Sequence, residues 1–362
     1  MMSCFRACFG GVDHPQSSSH GPNPSSTLRQ KVSTSILASP LLKSCGMTTE
    51  DVEANLDEYI DVSNHMCANL GIDTSRMSDA EAARIYEYYL PVYVWCETQR
   101  KEHVSHQRKG RKAPLVLGIS APQGCGKSTL CEQLESLFEY KGLRAASVSI
   151  DDFYLTREDH VKMSGKNAGN RILETRGNAG THDIRLGTET LKALKEGKEG
   201  TIALPRYDKS AFQGKGDRAD PSTWPTVEGP VDVVLFEGWM LGFAPVRNGE
   251  AARVDPDLKV VNGFLRAYKN AWDRFVDSWL IIKVSDPSFS HTWRLEAEKR
   301  MRAAGKPAMS DEEVEAFVDR FMPAYRCYLK GLYERGPTTA SVTDRRVLTV
   351  EVDATRSPVA NQ

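Results

Sequence analysis

An α/β sandwich around a mostly parallel sheet is predicted by three features of the sequence. Short, branched, wholly apolar runs such as Leu115–Ile119 recur; helix-patterned segments follow them; and a turn of small residues joins the first run to its helix. The alternation continues from Leu115 to Val352, behind a purely helical extension expected to pack on the sheet. A length of 362 residues fits one large domain or two modest ones, and 40% hydrophobic with 26% charged residues is a globular composition. With 47 basic against 48 acidic residues, the net charge of -1 gives no field to recruit a polyanion, so no nucleic-acid partner is expected. No uncharged apolar run approaches the roughly 18 residues of a membrane-spanning helix, so no membrane association is expected. Eight scattered cysteines form neither zinc-type pairs nor a disulfide framework, and mostly reduced thiols are expected.

In chain order, residues 1–46 differ from the rest: ten Ser, four cations (Arg6, Arg29, Lys31, Lys43) and a single acid, Asp13. Pro, Gly, Ser and His interrupt every apolar run, so a secretory signal does not fit, whereas an organellar transit peptide does. A disordered tail is the alternative. Without this leader, 43 basic and 47 acidic residues remain, a difference of -4, with five cysteines. Residues 47–112 read as a helical extension and linker. Thr49 is a candidate cap, Glu50 and Asp51 suit a helix N-terminus, and Val52, Leu56, Tyr59 and Ile60 share a face. A second helix begins after Ser78 and carries Ala83, Ile85, Tyr86, Tyr89 and Leu90 until Pro91 interrupts it. The run Lys101–Lys112 holds seven Lys, Arg or His among twelve residues and reads as a solvated linker.

From residue 113 the chemistry begins. The apolar run Leu115–Ile119 enters Ser120-Ala-Pro-Gln-Gly-Cys-Gly-Lys-Ser-Thr129, and a helix pattern follows over Leu130–Tyr140. This is the phosphate loop, or P-loop: small residues let successive backbone N–H groups converge on an anion at a helix N-terminus. Gly124, Cys125, Gly126, Lys127, Ser128 and Thr129 are therefore candidate ATP-binding residues. Lys127 is placed to reach the β and γ phosphates, and Ser128 to offer a hydroxyl to Mg2+. Ala121 stands where the pattern has its first Gly, which is tolerable if that residue needs no positive φ.

A second apolar run, Ala145–Ile150, ends in Asp151-Asp152-Phe153-Tyr154, putting carboxylates at the strand edge where parallel sheets bind ligands. One of them can accept a hydroxyl proton while sharing the field of the metal; the alternative is a turn or cap role. A third run, Val231–Phe236, is capped by Glu237, a candidate metal ligand. Thr201–Leu204 reads as a weak strand, Ser278–Val284 as a buried strand, and Val347–Val352 as a late strand. Ser310 caps a helix whose Val314, Phe317, Val318, Phe321, Tyr325 and Tyr328 form a core stripe.

The phosphate loop together with Asp151-Asp-Phe-Tyr154 and Phe236-Glu-Gly238 resembles the phosphoribulokinase, uridine kinase and pantothenate kinase group of P-loop kinases. Four further stretches narrow the likeness to plant-type D-glycerate 3-kinases: Tyr86–Cys96, Arg176–Asp183, Leu204–Ser210 with Gly216–Arg218, and Trp293–Glu298. The resemblance covers about Tyr86 to Pro358. It implies a three-layer P-loop NTPase sandwich over residues 113–362, with a helical lid near residues 288–310. It also implies transfer of the γ-phosphoryl of ATP to the 3-hydroxyl of D-glycerate, in plants a photorespiratory step in chloroplasts. The leader composition agrees with a stromal address, and a monomer is expected.

Glycerate is a small carboxylate, so its pocket should present cations, ideally a planar guanidinium. Arg206, Lys209 and Arg218, with Tyr207, supply a candidate substrate loop, and His182 is a candidate donor from a second loop. Their alternative is a salt-bridged loop with Asp208 and Asp217. The resemblance assigns Asp151 as the base that also faces the metal, Ser128 and Glu237 as metal ligands, and Arg294 as the first lid arginine over the transferring group. It also puts the neighbourhood of the late strand near the adenine. Cys125, at a helix N-terminus, reads as a small residue accommodated by the loop rather than as a redox switch. Two rivals remain: a P-loop kinase of another acceptor, such as a nucleoside or pentose phosphate, and a nucleotide-dependent switch protein.

Overall fold

A computed structural model describes residues 24–107, 113–197, 199–306 and 308–359. The N-terminal part is helical: α1 (Pro24–Leu37), α2 (Thr49–Ala54), α3 (Leu56–Leu70) and α4 (Asp79–Ala82), then a π-helical stretch over Ala83–Tyr89 and α5 (Leu90–Ser105). Thr48, one residue before the expected cap, forms a capping box with Asp51. Ser78 does the same with Glu81. Pro91 does not stop the helix as its sequence suggests. It lacks the N–H of an α-helical turn, and the π-helical stretch just before it lets the chain continue to Ser105.

The chain continues with β1 (Leu115–Ser120), α6 (Lys127–Tyr140), β2 (Ala145–Ser149), α7 (Arg157–Lys166), α8 (Ile184–Lys195), then β3 (Gly200–Ala203), β4 (Tyr207–Asp208), β5 (Asp217–Arg218), β6 (Thr226–Gly229) and β7 (Val233–Gly238). After these come α9 (Asn248–Val254), α10 (Leu258–Ala271), β8 (Ser278–Val284), α11 (Phe289–Ala303), α12 (Asp311–Asp319), α13 (Met322–Arg335) and β9 (Val347–Val352). Five strands form one parallel sheet in the order β2-β7-β1-β8-β9. The third strand starts at Val233, two residues later than expected, and extends through Glu237 to Gly238. The weak strand exists but belongs to a separate hairpin, β3 with β6, while β4 and β5 make a second.

The two faces of the sheet carry separate cores. Leu115, Leu117, Ile119, Val233, Leu235, Leu280 and Ile282 point to the face covered by the N-terminal helices and α6. Val116, Val234, Phe236, Trp279 and Ile281 point to the face covered by α8, α10, α12 and α13. This period of two, with both faces buried, is why the strands read as unbroken apolar runs. Val314, Val318, Phe321, Tyr325 and Tyr328 are buried as expected, though their stripe is divided between α12 and α13, with Pro323 in the first turn of α13.

The expected leader is partly integrated into this architecture. Residues 1–23 lie outside the described residues, but Val32, Ile36, Leu41 and Cys45 are buried in the core shared with α3, α5 and the sheet. Cleavage at residue 46 would strip that apolar cover, so the packed chain reaches further toward the N-terminus than its composition suggests. The linker residues 108–112 also lie outside the described residues.

Asp273 supplies a stability test. It is 1% exposed, its Oδ2 accepts from Thr338 Oγ1 at 2.5 Å, and its Oδ1 has no partner among the described residues. Burial pushes its carboxyl from 3.8 up to about 6. Because the folded value is the higher, the protonated acid stabilises fully below about pH 4, and that contribution is lost as pH rises through 6. Asp273→Asn should therefore gain on the order of 1 kcal/mol relative to the parent between pH 5 and pH 8. Denaturant unfolding at the two pH values checks this; an identical difference at both would remove the burial argument.

Candidate active site

The carboxyl ends of β1, β2 and β7 adjoin, since Ile119 and Ser149 both pair with Glu237 in register. The phosphate loop leaves β1, the Asp151 segment leaves β2, and Glu237 ends β7, so three functional segments meet at one sheet edge. Gly124 (φ +84°) and Gly126 (φ +93°) flank Cys125 in the left-handed region that glycine tolerates best. A side chain at Gly124 has no room either, because its Cβ would lie 2.6 Å from the Cβ of Trp293. The Gln123 amide donates to Tyr325 Oη at 3.0 Å. Lys127 opens α6, while Ser128 is exposed and Thr129 half-buried beside it.

Lys127 Nζ lies 2.6 Å from Glu237 Oε2, with both side chains largely buried. Burial works against the ammonium, but the carboxylates of Glu237 and Asp151 outweigh it and lift its pKa above that of an ordinary lysine, so it is fully charged. Cys125 is buried and its thiol is pushed up by that burial, more than Lys127 offsets. It is therefore a protonated packing residue of the loop, as expected. The six described cysteines are all free.

The two aspartates separate by environment. Asp152 closes a capping box with Ser149 around the short 3-10 turn after β2, and Arg206 Nη1 approaches it at 3.4 Å. Its burial raises the carboxyl to about 6 despite Arg206. Asp151 accepts from Lys209 Nζ at 2.5 Å and from Tyr154 Oη at 2.7 Å. Burial alone would raise it, but Lys209, Tyr154 and Lys127 reverse that and hold it at about 2. Asp151 is thus an ionised acceptor influenced by Lys127 of the phosphate loop and Lys209 of the β4–β5 turn.

Lys209 sits in the turn between β4 and β5. Arg176, over the Tyr207 ring at 5.5 Å, donates to the carbonyls of Gly214 and Lys215 at 2.8 and 2.7 Å and so braces this turn. Tyr207 meets Tyr154 edge-on at 5.2 Å. Arg218 is engaged elsewhere, donating to Asp183, the N-cap of α8, at 2.8 Å. His182 lies behind Tyr154, stacked at 4.6 Å and only 4% exposed. The Gly180 amide donates to Tyr268 Oη at 3.1 Å, and the same hydroxyl hydrogen-bonds with His182 Nδ1 at 2.8 Å, while the buried Nε2 has no partner among the described residues. Burial lowers the His182 pKa to about 3, against a weaker pull from Asp151, and the ring is neutral.

Arg294 is not brought to the loop. It pairs with buried Glu298 at 2.5 Å and lies over Phe317 at 5.3 Å, while its neighbour Trp293 rests on Gly124. Sequence reasoning missed two groups at the loop: the Tyr325 hydroxyl and Arg356, whose Nε donates to Gly124 O at 2.8 Å. Both are more than 200 positions from their partners, and no local pattern marks them. For a metal, Ser128, Glu237 and Asp151 offer oxygen donors only, which suits a hard cation. Among the described residues no cluster of three or more His, Cys, Asp or Glu could hold one unaided.

The model of the phosphoribulokinase / uridine kinase family matches residues 116–278. The chain is 47% identical over 327 residues to the chloroplastic D-glycerate 3-kinase of Arabidopsis thaliana, covering 90% of this chain and 71% of that protein. It is 35% identical over 260 residues to a probable ATP-dependent kinase of Saccharomyces cerevisiae, covering 68% and 88%. A solved D-glycerate 3-kinase from Cryptococcus neoformans superposes with a TM-score of 0.66 at 34% identity, covering 75% of this chain and 97% of that one. A parallel sheet with a phosphate loop at its edge, and relatives this similar over most of their length, place the chain in the phosphoribulokinase / uridine kinase family, in the group that contains the plant and fungal D-glycerate 3-kinases.

Proposed function

We propose that this ATP-dependent kinase transfers the γ-phosphoryl group of ATP to the 3-hydroxyl of D-glycerate. The observation that carries the reading is Lys209 on Asp151 at 2.5 Å, with Lys127 close enough to act on the same carboxylate: one cation for a phosphate and one for an acceptor flank a single base. The phosphate loop and Lys127 bind the triphosphate. Arg206, Lys209 and Tyr207 receive the glycerate carboxylate, Arg218 shapes their hairpin, and neutral His182 fixes Tyr154 from behind. Asp151 takes the proton of the 3-hydroxyl as its oxygen bonds to phosphorus and the bond to ADP breaks. Ser128, Glu237 and Asp151 would hold Mg2+, which supplies charge neutralisation at the phosphate oxygens. Arg294 is assigned to the transferring phosphoryl, reached when the lid turns it from Glu298; its place beside Trp293, on Gly124, supports this.

The chloroplastic relative and the Ser-rich, acid-poor N-terminus support a chloroplast stromal address and a photorespiratory role. The test incubates the full chain with ATP, Mg2+ and D-glycerate and locates the phosphorylated carbon by NMR. Phosphate on C3 is expected. Phosphorylation of a nucleoside or pentose phosphate but not glycerate would replace the substrate, and ATP loss at equal rate with and without glycerate would favour a switch protein.

A further inference from the structure

At Gly124 three distant segments meet. The first is the phosphate loop itself. The second is α11, whose Trp293 leaves no room for a side chain on Gly124. The third is the turn after β9, where Asp353 N donates to Ser357 O at 3.0 Å, Arg356 N to Asp353 O at 3.0 Å, and Asp353 Oδ1 accepts from the Thr355 and Ser357 amides. This turn holds Arg356 at φ +68°, a left-handed conformation that is strained for a non-glycine residue. The conformation is maintained because the side chain is over-determined. Arg356 Nε donates to Gly124 O at 2.8 Å, Nη2 pairs with Glu296 of α11 at 2.9 Å, and the guanidinium lies over the Trp293 ring at 5.1 Å. Trp293 Nε1 returns a hydrogen bond to Ala354 O at 2.7 Å.

The consequence follows from peptide geometry. In a planar trans peptide the C=O of one residue and the N–H of the next point in opposite directions. Holding Gly124 O toward Arg356 therefore aims Cys125 N–H away from it, and that amide donates to no other group among the described residues. That plane turns through ψ of Gly124 and φ of Cys125, and Gly124, without a Cβ, leaves its own side of the peptide sterically unrestrained, so the Arg356 contact is what fixes the setting. We infer that Arg356 is a positioning residue of the nucleotide site: it fixes the Gly124–Cys125 peptide so that the Cys125 amide is presented to an anionic phosphate, and it ties the lid helix to that setting through Glu296. The inference rests on ATP being the ligand of the loop. It does not depend on which acceptor is phosphorylated.

The test compares the full chain with Arg356→Ala and Arg356→Lys, titrating ATP by calorimetry and measuring steady-state kinetics with D-glycerate. Loss of one fixed, charge-assisted contact should raise the ATP Kd and KM about tenfold in Arg356→Ala, with kcat at saturating ATP within about threefold. The KM for glycerate and the melting temperature should be unchanged. Arg356→Lys should recover part of the ATP affinity, since an ammonium can still donate to Gly124 O but cannot also span to Glu296. ATP affinity within about twofold of the parent in Arg356→Ala would overturn the inference. So would a variant whose ATP and glycerate constants worsen together with a lower melting temperature, since that is the mark of a structural staple. Because ATP binding is read apart from turnover, a chain that bound ATP yet left glycerate untouched would overturn the proposed substrate and leave this comparison standing.

Discussion

Lys127→Ala is expected to lower kcat/KM by about a thousand-fold or more, the scale seen when a fixed cation that stabilises a transferring phosphoryl group is lost. The ammonium is fully charged at any working pH because the carboxylates of Glu237 and Asp151 outweigh its burial. No conformational search is required of it, since it leads α6 and its Nζ is already pinned 2.6 Å from Glu237. The same pair complicates the experiment: deleting the ammonium leaves the Glu237 carboxylate buried without its partner, which can destabilise the fold by roughly 3–5 kcal/mol. Lys127→Met combined with Glu237→Gln removes both charges at nearly constant volume, and its melting temperature reports whether the fold survives. A folded double variant with the same deep loss attributes it to the phosphate contacts and the carboxylate at Glu237. Near-parental turnover in Lys127→Ala would contradict the role assigned to the loop.

How much of this was legible in the sequence varies with the range of the interaction. The strands Ser278–Val284 and Val347–Val352 are found at the expected bounds, because burial on alternate faces acts residue by residue. The phosphate loop was legible too, since Lys127 and Ser128 act through a local turn. Local signals failed where tertiary packing outweighs them. Pro91 is carried through a helix by a preceding π-helical stretch. The cations around the β4–β5 hairpin are legible by type, but charge alone could not say that Arg218 belongs to Asp183 while Lys209 belongs to Asp151. Arg356 illustrates the limit. Its partners are Gly124 and Glu296, 232 and 60 positions away, and nothing in the turn around it signals a phosphate site.

Asp151→Asn should lower kcat by about a hundred-fold or more while leaving the ATP Kd within about threefold. Asparagine keeps the shape and the acceptor for Tyr154 Oη, so the positioning is retained; what is lost is a group that can take a proton and a charge that holds Lys209. The pH dependence distinguishes this role from that of its neighbour. Asp151, held at about 2, stays ionised from pH 5 to pH 9 and contributes no limb there, whereas Asp152, raised by burial to about 6, gains a proton as the pH falls through that value. Any fall in kcat/KM below pH 6 should therefore persist in the residual activity of Asp151→Asn. Its disappearance in that variant would assign the limb to Asp151 and contradict the environment described for it. A base with so low a pKa is a weak one. It is adequate here because a loose transition state leaves the hydroxyl proton in place until bonding to phosphorus is well advanced, when the alcohol has become acidic enough for a carboxylate to remove it.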